Sequence, residues 1–117
     1  AIAKLKNAAG NVVEPSIEST QAAMADFGGQ MPDTLARSIV NAPGPTSWPI
    51  AGYTYLLVYM DQTDCAKGKK LVEFLHWALT DGSRFATELH YVPLPDNVRR
   101  QVLDRLAQVT CHGQPLQ

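Results

Sequence analysis

The stretch Ser47-Trp48-Pro49-Ile50-Ala51-Gly52-Tyr53-Thr54-Tyr55-Leu56-Leu57-Val58-Tyr59-Met60 constrains the fold more than any other part of the chain. Pro49 has no amide hydrogen and a locked φ, so it blocks helix and fixes an extended start. From Tyr53 to Met60, aromatic and branched residues fill both alternating sets of positions. A strand wetted on one face alternates apolar with polar, whereas one covered on both faces does not. The stretch therefore predicts a strand covered on both sides within a mostly parallel sheet, and α/β is the expected fold class.

What surrounds it is of two kinds. Upstream, Ile2, Lys4 and Lys6 alternate and predict a short strand over Ala1 to Lys6, with Leu5 breaking the pattern. Asn7-Ala8-Ala9-Gly10 is a turn signal, and Asn11 to Glu14 a second extended piece held open by Pro15. Ser16 is suited to cap a helix over about Ile17–Asp26, with Glu18 at its positive end and Gly28-Gly29 ending it. The glycines follow a helix and do not open one, so they are no phosphate loop. Leu35 to Asn41 predicts another short strand. Ala42-Pro43-Gly44-Pro45-Thr46 then breaks the chain and is the best boundary.

Downstream the pattern turns helical. Thr63 or Asp64 caps a helix over about Cys65 to Asp81, with Leu71, Phe74, Leu75, Ala78 and Leu79 on the expected buried side. Val72 and Trp77 widen that side, while Lys69, Glu73, His76 and Thr80 form a polar stripe that turns His76 to solvent. Gly82 is expected to end the helix, and Ser83 to cap a shorter one through Arg84, Phe85, Ala86 and Leu89. Tyr91 to Pro95 is an extended connector. Val98, Val102, Leu103, Leu106 and Val109 mark the apolar stripe of a last helix, with Asp96 in its first turn.

Composition excludes several function classes. The 117 residues are 45% hydrophobic and 18% charged, as in a globular domain, and the net charge of −1 argues against nucleic acid as a partner. No apolar run approaches the roughly 18 residues of a membrane span. The chain begins at Ala1, inside a periodic segment and without a signal-like apolar run, as a processed product or a fragment does. No nucleophile elbow, phosphate-binding P-loop, zinc-protease motif or paired carboxylates occur, so no catalytic residue, metal ligand or cofactor is assigned and the chain is not expected to be an enzyme. Cys65 and Cys111 bracket the helical half. They are either two independent thiols or a bridge, which would contribute roughly 4 kcal/mol on the chain-entropy model.

Several segments, in order, resemble one family. Leu5-Lys6-Asn7-Ala8-Ala9-Gly10, Glu14-Pro15-Ser16, Trp48-Pro49-Ile50, Tyr55-Leu56-Leu57-Val58, Phe74-Leu75-His76-Trp77-Ala78-Leu79 and Tyr91-Val92-Pro93-Leu94-Pro95 look like the C-terminal part of the periplasmic phosphate-binding proteins of ABC importers, the PstS family. The resemblance reaches to about Leu106. It implies part of a two-lobed periplasmic-binding-protein fold of type II, with mixed sheets flanked by helices. Residues 1–45 would close the second lobe, 46–54 form the interlobe crossover and hinge, and 55–117 complete the first lobe.

By the same resemblance, the complete protein captures inorganic phosphate between its lobes and delivers it to an ABC permease. It would be periplasmic or extracellular, with membrane anchoring through the missing N-terminus as an option. The family's phosphate ligands, including an arginine, an aspartate and a Ser-Gly-Thr segment at a helix N-terminus, belong to that N-terminal part. No ligand-binding residue is carried over here, and the N-terminal segment becomes an expected partner. The alternatives are a secreted anion-binding or phosphatase-like relative on the same scaffold, or an independent interaction module.

Overall fold

The structure, a computed structural model, describes residues 2–116, with the backbone alone at Gln30. Ala1, where the first expected strand and the 1–45 segment begin, and Gln117, where the 55–117 segment ends, lie outside the described residues. The described residues fold into three α-helices and two small sheets, an α/β arrangement.

The first sheet is an antiparallel hairpin of β1 (Leu5–Lys6) and β2 (Val12–Val13), with Leu5 opposite Val13. Its turn works because Gly10 takes φ 86°, a left-handed value that costs glycine little. Helix α1 (Ile17–Asp26) follows, and Ser16 caps it reciprocally: the Ser16 hydroxyl accepts from the Ser19 N–H while the Ser19 hydroxyl accepts from the Ser16 N–H. A 3-10 turn, Gly28–Gln30, then bends the chain. Gly28 is there for space and not for a left-handed cap, since a Cβ on it would overlap the Asn97 side chain.

The second sheet is mixed. β3 (Asp61–Gln62) pairs in parallel with β4 (Thr110–Cys111), which pairs antiparallel with β5 (Gln114–Pro115). β3 and β5 are its edges, and an edge is where a strand proline is tolerated. Between β3 and β4 run α2 (Cys65–Leu79), capped by Asp64, a 3-10 turn (Asp81–Phe85) and α3 (Asp96–Leu106).

Two apolar clusters hold these elements. One gathers Ala23 and Met24 of α1 with Ile39, Ala42 and Ala51, and Trp48, Val92 and Leu94 lean on it. The other gathers Val72 and Leu75 of α2 with Leu106 and Val109, and Val58, Met60 and Leu79 lean on that. The radius of gyration is 16.3 Å, against about 13–14 Å for a compact domain of this length. The shape is a slab of 50 × 28 × 18 Å, which is thin for two cores.

Several expectations fail for physical reasons. Residues 35–41 form no strand: Leu35 and Asn41 sit at φ 58° and 55°, outside the β region, although Ile39 is fully buried. Residues 53–59 form no ladder either, because no neighbouring strand lies beside them among the described residues. Nor is the stretch covered on both sides, since Leu57 is 98% and Tyr59 85% exposed. Helix α2 stops at Leu79 with Thr80 as its cap, and Gly82 instead packs under the Trp77 ring within the 3-10 turn. The expected helix from Ser83 is that turn followed by irregular chain.

The buried face of α2 is also rotated from the expected one. Gly68, Val72 and Leu75 are buried, whereas Phe74 is 57% and Trp77 46% exposed, with Leu71 beside them. Phe74 therefore does not supply the core burial expected of it.

Candidate functional site

Three places in the molecule concentrate chemistry. The first is a polar clamp around residues 44–47. Asn7, buried at the hairpin, donates through Nδ2 to the carbonyls of Gly44 (3.2 Å), Pro45 (3.0 Å) and Ser47 (3.3 Å). Its Oδ1 accepts from the Asn11 N–H at 3.0 Å. From the other side, Asp26 in the last turn of α1 accepts from the Gly44 N–H at 2.8 Å and the Ser47 hydroxyl at 2.6 Å. Gly44 must be glycine for this, because a Cβ would come within 2.5 Å of the Asp26 carboxylate. A partly buried network of this kind, anchored on the buried Asn7 and Ser47, favours one backbone path for the loop that leads to Trp48.

The second place is the disulfide. Cys65, the first residue of α2, and Cys111 of β4 are joined, with Cα atoms 5.4 Å apart. His112 lies beside them, so the three side chains could bring ligand atoms within 4.8 Å of one another. With both sulfurs in a disulfide there is no thiolate to ligate, so this is a staple and not a metal centre. Asp61 buttresses the same corner. Its carboxylate accepts from the Gly113 N–H at 2.9 Å and the Thr110 hydroxyl at 2.6 Å, and these bonds hold its pKa below the usual value.

The third place is an apolar groove of about 480 Å³ between residues 53–60 and the α2–α3 face. Leu56, Leu75, Leu79, Val98 and Val102 contribute to its walls, with Arg105 as the cation on its rim. The buried Tyr53 hydroxyl lies at one end and has no hydrogen-bond partner among the described residues. Burial, and then the neighbouring Tyr55, raise its pKa.

An acidic side chain stands at the start of each α-helix among the described residues. Glu18 occupies the first turn of α1, where backbone N–H and the Ser16 hydroxyl lower its pKa. Asp64 caps α2 by accepting from the Lys67 N–H at 3.1 Å, and its pKa is lowered for that reason. Asp96 sits in the first turn of α3 and pairs with Arg99 at 2.7 Å. The carboxylates at the starts of α1 and α2 thus accept backbone N–H groups there, whereas the Asp96 carboxylate on α3 is bonded to Arg99 and caps nothing. His76 lies exposed on α2.

Sequence reasoning missed the clamp. By sequence pattern Asn7 is a turn residue and Asp26 the end of a helix. No local pattern points to the pair, because both residues lie well upstream of the Pro43-Gly44-Pro45 break.

No known family model matches the chain. Individual proteins do. The phosphate-binding protein PstS of Xylella fastidiosa (strain 9a5c) is 38% identical over 98 residues, which is 84% of this chain and 27% of the relative. PstS of Pasteurella multocida (strain Pm70) is 35% identical over 100 residues, 86% of this chain and 29% of the relative. R831 of Acanthamoeba polyphaga mimivirus, named as a serine/threonine-protein kinase/receptor, is 32% identical over 96% of this chain but only 7% of its own length. The chain thus spans just over a quarter of the PstS relatives and far less of the viral one. Over most of its length, it is similar to one part of the PstS phosphate-binding proteins.

Proposed function

We propose that this chain is the C-terminal segment of a phosphate-binding protein of a type II periplasmic-binding fold, serving as scaffold and not as ligand shell. In this reading residues 1–45 close one lobe, 46–54 cross between lobes, and 55–117 complete the other. The complete protein grips inorganic phosphate between the lobes, in the periplasm or outside the cell, and passes it to an ABC permease. The observation that carries the reading is the 38% identity to PstS over 84% of the chain.

The chemistry of the reading is consistent with the site. A dehydrated tetrahedral oxyanion needs vacant backbone N–H groups, hydroxyls and an arginine. In this reading those groups come from other polypeptide, since α1 and α2 begin on carboxylates that already accept backbone N–H groups. Its own task is mechanical. The Asn7–Asp26 clamp holds the 44–47 loop, and through it the crossover, in one conformation, and lobe closure is defined relative to that fixed path.

Calorimetry with inorganic phosphate tests this directly. The complete natural polypeptide should bind phosphate, and residues 1–117 alone should not. No binding by the complete polypeptide, or equal binding by the isolated chain, sinks the proposal. The mimivirus relatives favour a second reading, in which the same scaffold forms part of a receptor. Protein phosphorylation by the complete polypeptide would select that reading.

A further inference from the structure

The Cys65–Cys111 staple excludes a metal only while it stays closed. Cys65 opens α2 and is exposed, whereas Cys111 in β4 is buried. One sulfur is therefore open to a reductant in solvent, and thiol–disulfide exchange depends on such access. Opening the bridge leaves two thiols on elements that other contacts keep side by side. β3, which leads into α2, pairs with β4, and Val72 and Leu75 of α2 pack with Val109, which leads into β4.

His112 is the third member of this corner. Successive side chains of a strand point to opposite faces, so a residue continuing β4 would turn away from Cys111. His112 escapes that rule because it lies in the two-residue turn between β4 and β5, at φ 49°, followed by Gly113 at φ 75°. Such a turn needs positive φ at both central residues, and Asn or Asp before Gly serves it best. The chain places histidine there instead. Asp61 secures the turn, its Oδ1 accepting from the Gly113 N–H and the Thr110 hydroxyl. The ligand atoms of Cys65, Cys111 and His112 lie within 4.8 Å of one another. Tetrahedral zinc, with sulfur about 2.3 Å and nitrogen about 2.0 Å from the ion, holds such donors about 3.5–3.8 Å apart. The difference is of the size that side-chain rotation supplies.

We propose that, once its disulfide is reduced, this corner binds one zinc ion through the Cys65 and Cys111 sulfurs and the His112 imidazole, with water in the fourth position. Two thiolates and an imidazole select zinc over the hard cations magnesium and calcium. An external dithiol is the reductant. One of its thiolates attacks the Cys65 sulfur, the S–S bond breaks, and the electron pair leaves on the Cys111 sulfur. The reductant's second thiol then closes its own disulfide and releases Cys65. The protein gains two electrons and two protons, and zinc displaces those two thiol protons. One link between α2 and β4 is thereby exchanged for another. The proposal holds whether or not the complete polypeptide binds phosphate.

The test is equilibrium dialysis of the complete natural polypeptide against Zn²⁺, with and without a phosphine reductant, which unlike a dithiol offers zinc no competing thiolate. Reduction should add one bound zinc per chain. Zn²⁺ should also raise the denaturant midpoint of the reduced protein and leave that of the oxidised protein unchanged. Replacing both Cys65 and Cys111 by serine should abolish the added zinc. His112→Asn suits the turn but removes the imidazole, so it should weaken zinc binding at least tenfold and leave the oxidised protein's midpoint unchanged. No added zinc on reduction overturns the proposal, as does added zinc that persists in the double serine variant. Equal affinity in His112→Asn also overturns it, because the thiols alone then hold the metal. That comparison decides the matter even if the serine variant does not fold, since His112→Asn keeps its disulfide until the reductant is added.

Discussion

Residues 42–49 and residues 53–60 are neighbours in the chain, and both lack regular structure, but they are irregular for opposite reasons. The first loop is proline-rich, and side chains from outside it serve its polar groups: Asn7 takes three carbonyls and Asp26 takes an N–H and a hydroxyl. The second, of the same length, is apolar, and no side chain or strand among the described residues serves its backbone N–H groups. Absence of secondary structure therefore has two meanings. In one region the chain has replaced a ladder with side-chain hydrogen bonds, and in the other the ladder is lacking its second half.

The comparison can be broken most severely at the staple beneath the second region. The disulfide ties α2 to β4, the elements on which Val58 and Met60 rest. Replacing both cysteines by serine should cost the complete polypeptide roughly 4 kcal/mol, read from denaturant midpoints. An unchanged midpoint would mean that the closed loop is already ordered in the unfolded chain. Next comes Leu57→Ala. At 98% exposure it should change stability by less than about 0.5 kcal/mol if the segment stays uncovered. If further polypeptide buries it, the cost is about 3 kcal/mol.

The first region should respond to Asn7→Ala by about 2 kcal/mol, because the Gly44 and Ser47 carbonyls lose a side-chain donor, while Pro45 keeps one from the Asn11 amide. A cost below 0.5 kcal/mol would show that water replaces the amide and that the clamp is not structural. The smallest effect is one of pH. Hydrogen bonds from the Gly113 N–H and the Thr110 hydroxyl hold the folded pKa of Asp61 below its unfolded value. A depressed carboxylate pKa contributes stability above the unfolded value of about 4, and this is lost as pH falls through the lowered folded value. Compared with Asp61→Asn, the natural protein should keep a constant margin above about pH 5 and lose it on further acidification. Urea midpoints across that range check the sign, and a margin that grows on acidification would refute it.

Legibility in the sequence followed the range of the interactions. The span of α1 and its Ser16 cap, the Asp64 cap of α2 and the Gly10 turn were all readable, because each depends on residues within one turn of one another. The stripe of α3 was readable in part: Val98 and Leu106 are buried as its period requires, whereas Val109, expected on the same stripe, is buried in the chain between the helix end and β4. The face of α2 was not, since apolar residues cover more than half its circumference and periodicity alone cannot choose between Val72–Leu75 and Leu71–Phe74. Asn7 and Asp26 were invisible as partners, being separated from residues 44–47 by 18 to 40 positions.

What the sequence determined by itself is local: where helices begin, where the chain turns, and that 53–60 is apolar on both faces and so built for cover. What only the tertiary structure decided is which surfaces meet, including the clamp on the 44–47 loop, the rotation of α2 and the open edge at β3. The physical reason is that caps and periodicity act over three or four residues. Burial and strand pairing are collective, and their outcome depends on which other surfaces are present to be buried against.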